Sequence, residues 1–234
     1  MWIKQVEALE NNYRVITYDI RGHGNSELGD VDFSIDLLAE DLLCLMDALK
    51  INKAALCGFS MGGYIALNAI INHPHRFSAL ILCDTSCFSD TPEARENRMK
   101  TIGSIRESGI EKYADMSINK LFAPNSLVTR KEEVAAVKTM IMNTSEQTIA
   151  KTLVALATRN ETCTKLSEIN VPVLIMVGDQ DIVTPPENAQ FIHNNINGSL
   201  LVILEKAGHL SNLENPEQFN NQLNWFLSTL NLEA

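Results

Sequence analysis

The sequence predicts an α/β fold, a mostly parallel sheet covered by helices and interrupted once by a helical insertion. Three observations carry that expectation. Short apolar runs alternate with segments of helical periodicity at both ends of the chain. The runs are continuous instead of alternating in polarity, as strands buried on both faces should be. Between residues 86 and 168 the alternation stops, and helical patterns follow one another without a convincing strand.

Taken in order, residues 2–10 read as a helix with Trp2, Val6 and Leu9 on one stripe. YRVITYDI (13–20) is rich in β-branched and aromatic residues and predicts a strand, followed by the Gly-punctuated loop RGHGNS (21–26). A helix over 36–50 follows from the spacing of Leu37, Leu38, Leu42, Leu45, Met46 and Leu49. KAALCGF (53–59) predicts a strand, MGGYIALNAIINH (61–73) an apolar helix, and FSALILCDT (77–85) another strand. Four helices are expected near 92–107, 109–120, 131–142 and 145–157. The alternation resumes with strand VPVLIMVG (171–178), a helix from Pro186 to Asn194, strand SLLVILE (199–205) and an amphipathic helix from Pro216 to Leu230, leaving a short tail, 231–234. Both ends of the helical block return to one sheet. Residues 1–85 and 169–234 therefore read as the core, and 86–168 as an inserted cap of the kind that covers active sites.

Composition narrows the function classes. The chain of 234 residues is 45% apolar, enough for one substantial core. It carries 29 acidic against 19 basic residues, a net charge of −10, which repels phosphate backbones and anionic lipid; neither nucleic acid nor a membrane is an expected partner. MWIKQVEALENN contains two acids and no apolar stretch of signal-peptide length, and no run reaches eighteen apolar residues. Cys44, Cys57, Cys83, Cys87 and Cys163 are odd in number and irregular in spacing, fitting neither a disulfide framework nor a zinc knuckle. Most sit in apolar runs and are expected to be small buried hydrophobes, in a reducing, cytoplasmic compartment. No motif asks for a metal or an organic cofactor, and homo-oligomerisation is left open.

Chemistry enters at Gly58-Phe59-Ser60-Met61-Gly62, a G-x-S-x-G sequence with a strand running into it and an apolar helix leaving it. Such a strand-to-helix turn lifts its serine clear of the sheet, needs small neighbours at Gly58 and Gly62, and points the amide of Met61 at any oxyanion formed there. The alternative is a serine that merely caps a helix. A nucleophilic serine needs a base. His73 and His75 follow the helix and fall at the far end of the core, His193 lies within a helix, and His23 sits in a turn. His209 follows strand 199–205 at the carboxyl edge, where open α/β sheets place their chemistry. The orienting acid is expected after strand 171–178. There Asp181 has the reach and Asp179 suits the turn itself, with Asp84 a lesser candidate. The order Ser60, Asp181, His209 is that of one triad arrangement and not of the chymotrypsin or subtilisin ones.

Together these segments resemble the α/β-hydrolase superfamily, especially small carboxylesterases and the 3-oxoadipate enol-lactonase group. CGFSMGG is similar to the nucleophile elbow, VPVLIMVGDQDIVTPPENA to the acid strand and loop, and AGHLSNLENPEQFNNQLNWFL to the histidine loop and final helix. The resemblance implies nucleophile Ser60, acid Asp181 and base His209, and hydrolysis of a small ester or lactone through an acyl-enzyme without a cofactor. Family members begin with two or three further strands and a His-Gly loop that gives a second oxyanion donor; one of those strands lies between the counterparts of 13–20 and 53–59. Their absence predicts a fragment, a sheet that has closed its gap, or a strand supplied by another chain. Losing the donor would cost on the order of 3 kcal/mol in the transition state. For the substrate pocket, Phe59 is expected at the floor and Met61 at a wall; Leu121, Phe122, Met140 and Leu156 are the cap candidates, each of which suits the cap's own core better than a substrate contact. Arg159 would meet a small anionic lactone, unless a salt bridge holds it. The rival reading is a non-catalytic member of the same fold.

Overall fold

Four parallel strands form the sheet in the order β1 (Ala54–Phe59), β2 (Phe77–Cys83), β3 (Val173–Gly178), β4 (Leu200–Leu204). The computed structural model describes residues 1–230; the expected tail 231–234 lies outside the described residues. The period of two along β2 sorts its side chains onto two helical layers. Leu80 and Leu82 meet Leu38 and Leu42 of α2 (Ile35–Ala48) and Leu67 and Ile70 of α3 (Met61–Asn72). Ala79, Ile81 and Cys83 join Leu9 of α1 (Ile3–Leu9) and, on the C-terminal helix, Phe219, Leu223 and Phe226. Phe219 and Phe226 are almost wholly buried, each side chain stabilising by roughly 1.5–3 kcal/mol.

Between β2 and β3 lie α4 (Pro92–Ser108), α5 (Ile110–Leu121), α6 (Ser126–Thr129), α7 (Lys131–Asn143) and α8 (Glu146–Thr158), close to the helices expected from periodicity. Their starts are set by local chemistry. Thr91 Oγ1 accepts the Ala94 amide with Pro92 in the first turn, and Ser145 Oγ accepts the Thr148 amide. The insertion has a small core of its own around Ile105, Ile149 and Leu153. After β3 come α9 (Pro186–Asn195), then β4, α10 (Ser211–Glu214) and α11 (Pro216–Ser228).

The structure corrects two expectations. Residues 13–20 are extended but form no ladder. Tyr13 and Val15 pack towards the α1/α11 layer and Ile20 towards the α2/α3 layer, so the segment alternates as a strand does. Its Ile16 and Tyr18 remain exposed, and β1, with Cys57 exposed, is an edge strand. A strand is defined by its neighbour, and among the described residues neither β1 nor 13–20 has one on the facing side, so these two segments have not closed the gap by pairing. The second correction concerns Cys87 and Cys163, which are joined in a disulfide across 76 positions. It ties the exit from β2 to the 3₁₀ turn Cys163–Glu168, where the insertion returns to the sheet. Cys83 is buried, as expected, whereas Cys44 and Cys57 are exposed thiols. No helix among the described residues is long and apolar enough to cross a membrane.

Candidate active site

Ser60 sits between β1 and α3 at φ 50°, ψ −115°, a left-handed conformation that a non-glycine residue adopts only when its surroundings impose it. Its amide donates to Cys83 O at 2.9 Å, and its carbonyl accepts from Gly63 N at 2.9 Å and Thr85 Oγ1 at 2.8 Å. A Cβ at Gly58 would collide with the Gly62 carbonyl, and one at Gly63 with Thr85, so close packing demands both glycines. Gly62 differs from expectation: a Cβ there would meet nothing within 4 Å. The Met61 amide opens α3, and the first amides of a helix have no acceptor within it.

Asp181 lies in the turn after β3, fully enclosed. Its Oδ1 accepts the Val183 amide at 2.7 Å and the Thr184 amide at 3.0 Å, while its Oδ2 accepts Thr184 Oγ1 at 2.7 Å and pairs with His209 Nδ1 at 2.8 Å. Burial alone would raise this carboxyl. The hydrogen bond and charge of His209, with the hydroxyl and amide of Thr184, outweigh it and hold Asp181 below the usual carboxylate range. With a carboxylate at Nδ1, that nitrogen carries the proton and the Nε2 lone pair faces Ser60 Oγ at 2.8 Å. Asp179 takes the turn role expected of it, its Oδ1 accepting the Ala207 amide at 3.1 Å.

The loop bearing His209 is fixed by a residue that sequence reasoning missed. Buried Glu214 accepts the amides on either side of the histidine, Gly208 N at 2.9 Å and Leu210 N at 3.2 Å, through Oε1, and Ala123 N of the cap at 2.8 Å through Oε2. Nothing in a polar stretch such as His209-Leu210-Ser211-Asn212-Leu213-Glu214 marks the last residue for this. Phe59 presents its ring edge-on to His209 with centroids 5.7 Å apart, and Trp2, also unforeseen, packs on Phe59 at 6.0 Å. Asp84, weighed as a lesser acid, is wholly buried at the end of β2.

Two of the expected substrate contacts are enclosed by other side chains. Phe122 is 3% exposed in the same apolar cluster as Phe59, Ile118 and Leu213. Arg159 is also buried; its Nη1 pairs with Asp90 at 2.6 Å and its Nε donates to Phe88 O, while the guanidinium lies 4.3 Å from the Tyr64 ring centroid. Arg98 completes the pair on Asp90 at 2.5 Å. The salt bridge thus exists, with Asp90 as its acid, because the disulfide-linked root of the insertion brings the two chain segments together. A cleft of about 600 Å³ opens between α4, α8 and the 32–33 loop, lined by Phe33, Ile105, Arg106 and Lys151 among others and by no triad residue. Of the remaining histidines, His23 is held in its turn by Arg21 O, and His73 pairs with Glu40.

Asp84, Asp181 and His209 bring ligand-type atoms within 4.8 Å of one another, the one such grouping among the described residues. Each is already engaged and none is an open metal ligand: Asp181 and His209 form the relay to Ser60, and Asp84 accepts from Gly178 N and Ser211 Oγ.

An elbow serine after β1, an acid after β3 and a carboxylate-bound histidine after β4 define a serine hydrolase. A family model for the alpha/beta hydrolase fold matches residues 1–216, and the chain belongs to that family. It is 32% identical over 231 residues to 3-oxoadipate enol-lactonase 2 of Acinetobacter baylyi, which covers 99% of this chain and 85% of that protein. Among solved structures it is similar to a thermophilic esterase from Thermogutta terrifontis, at 31% identity and TM-score 0.93 over 97% of this chain and 84% of that one. It is also similar to the enol-lactonase from Burkholderia xenovorans LB400, at 30% identity and TM-score 0.90 over 97% and 85%.

Proposed function

We propose that the chain hydrolyses small carboxylic esters or lactones through an acyl-serine intermediate. The observation that carries this reading is the unbroken relay from Asp181 through His209 to Ser60, with both links at 2.8 Å. Ser60 Oγ attacks the carbonyl carbon as His209 Nε2 takes its proton, and the imidazolium is stabilised by Asp181. The amide of Met61 receives the oxyanion. Collapse expels the alkoxide, which takes the proton from Nε2; water then loses a proton to Nε2 and attacks the acyl carbon, and collapse of that intermediate returns the proton from Nε2 to Ser60 Oγ as the acid is released. In a lactone, the expelled oxygen remains on the acyl chain, so the second step releases a single hydroxy acid.

Phe59, beside His209, is the side chain best supported as a wall of the acyl site. Phe122 shares the apolar cluster of Phe59 but has no ring contact with the triad histidine, and Arg159 is held by Asp90. Hydrolysis of a small anionic lactone is a second reading, favoured by the identity to proteins named enol-lactonases and opposed by the engagement of Arg159. The division into core 1–85 with 169–234 and cap 86–168 belongs to the same proposal, supported by helices α4–α8 lying between β2 and β3. A cytoplasmic setting is supported by three free thiols and opposed by the Cys87–Cys163 bridge.

Labelling with a fluorophosphonate followed by peptide mass spectrometry tests the mechanism. The adduct is expected on Ser60 and absent from Ser60→Ala; folded protein that takes up no label would overturn the reading. Rates on short and long p-nitrophenyl esters, with 3-oxoadipate enol-lactone alongside, then decide between ester and anionic lactone.

A further inference from the structure

Asp84 closes β2 at φ 45°, an unfavourable conformation for a side-chain-bearing residue, and is 0% exposed. Its backbone amide donates to Met176 O of β3 at 2.9 Å. Its Oδ1 accepts the amide of Gly178, the last residue of β3 and three before Asp181, at 2.9 Å. Its Oδ2 is bonded to Ser211 Oγ, two residues after His209. One carboxyl group therefore joins the strand end that carries the acid to the loop that carries the base, from beneath both.

We propose that Asp84 is a positioning residue of the triad, bracing the Asp181 turn and the His209 loop against each other so that the relay to Ser60 keeps its geometry. The proposal rests on the serine-hydrolase reading above. Asp84 does not touch Ser60 and transfers no proton in the reaction; it acts through Gly178 and Ser211.

The surroundings also favour its protonated form. The carboxylates of Asp181 and Glu214, the imidazole of His209 and the thiol of Cys83 face it. Burial, with the nearby negative charges, pushes Asp84 well above the usual carboxylate range in spite of the bonds from Ser211 and Gly178. A protonated Asp84 keeps both contacts, accepting from Gly178 N–H at Oδ1 and sharing the Ser211 hydrogen bond at Oδ2. An asparagine has the same shape, accepting from Gly178 and donating to Ser211, whereas alanine breaks both links.

The experiment compares wild type with Asp84→Asn, Asp84→Ala and Ser211→Ala. For p-nitrophenyl acetate hydrolysis, Asp84→Ala should lower kcat by roughly tenfold or more with KM changed by less than about threefold, as expected when two buried hydrogen bonds that orient the relay are lost. Asp84→Asn should restore most of that loss and leave the acid limb of the kcat/KM profile in place, and Ser211→Ala should fall between. Wild-type kcat in Asp84→Ala, or no rescue in a folded Asp84→Asn, overturns the positioning role. If Asp84→Ala does not fold, Asp84→Asn and Ser211→Ala still decide: a Ser211→Ala enzyme with unchanged kcat overturns it.

Thermal unfolding across pH 4–8 reads the charge separately. A carboxyl whose native value is raised holds its proton in the fold and loses it on unfolding, so stability declines as pH rises above the ordinary value of about 4. The Tm of Asp84→Asn minus that of wild type should therefore grow more positive with pH. A constant difference overturns the neutral assignment. Should the wild type hydrolyse no ester at all, the hydrolase reading fails, while the pH-dependent Tm difference still tests Asp84.

Discussion

On one side of the nucleophile, β2, β3 and β4 run as an unbroken ladder and deliver Asp181 and His209 to Ser60. On the other, β1 and the extended segment 14–20 carry backbone groups with no ladder between them. The relay is nevertheless intact, and the hydrogen bonds around Ser60 explain why. Its turn is pinned by Cys83 O and Thr85 Oγ1, both at the end of β2, so the nucleophile takes its geometry from the complete side. Proton relay and oxyanion binding are thus separable demands on the fold. The ladder side meets the first, and the Met61 amide contributes to the second from a helix that begins at the elbow itself.

The sharpest test of the complete side is chemical. Ser60→Ala should lower kcat by on the order of 10⁴-fold or more while thermal unfolding stays within a few degrees of wild type, and Asp181→Asn should lower it by on the order of 10⁴-fold because the wrong tautomer then faces Ser60. Substantial ester turnover by Ser60→Ala would move the chemistry away from the elbow. Native-state hydrogen exchange probes the open side directly. Amides of Arg14–Tyr18 should exchange close to the rate of an unstructured chain, and those of Leu80–Leu82 and Leu174–Met176 at least roughly 10³-fold more slowly. Strong protection across 14–18 would mean that this segment pairs in solution, and the contrast between the two sides would be lost.

The Cys87–Cys163 bridge lies on the complete side, at the root of the insertion, and its contribution should be thermodynamic. Closing a loop of 76 positions restricts the unfolded chain, so Cys87→Ala with Cys163→Ala should destabilise by on the order of 3–4 kcal/mol in urea unfolding. Exposed Cys57, at the open edge, should alkylate in the native protein without that loss, and buried Cys83 should not. An unchanged midpoint in the double variant would show that the root is held instead by Asp90 with Arg98 and Arg159.

What could be read from the sequence follows the range of the forces involved. The helices of the insertion were legible because periodicity and capping act within one or two turns: Thr91 and Ser145 mark their own starts. The triad was legible because strand ends, chain order and residue type are all local. Residues 13–20 have the composition and alternation of a strand, yet pairing belongs to a neighbour that composition does not contain. Cys87 with Cys163, Arg159 with Asp90, and Glu214 with Ala123 are contacts over 69–91 positions, created only when the insertion folds back. Asp84 was noticed for its place on a strand end, and its brace to Ser211 depends on the third dimension.

The smallest expected effect falls at the elbow, where the two sides meet. The G-x-S-x-G pattern suggests that both of its outer glycines are needed, but only Gly58 is crowded, against the Gly62 carbonyl and the Ala66 side chain. Gly58→Ala must force backbone apart and should destabilise by about 2 kcal/mol or more, with kcat falling as Ser60 moves. Gly62 has open space where a methyl group would go and a negative φ within α3. An alanine there gains helix propensity and restricts the unfolded chain, so Gly62→Ala should be neutral to stabilising by about 0.5–1 kcal/mol. Its kcat on a short p-nitrophenyl ester should stay within about twofold, since relay and Met61 amide are untouched. A large kcat loss in a stable Gly62→Ala would place the substrate, and not the fold, against that methyl group and so locate the acyl site on the α3 side of Ser60.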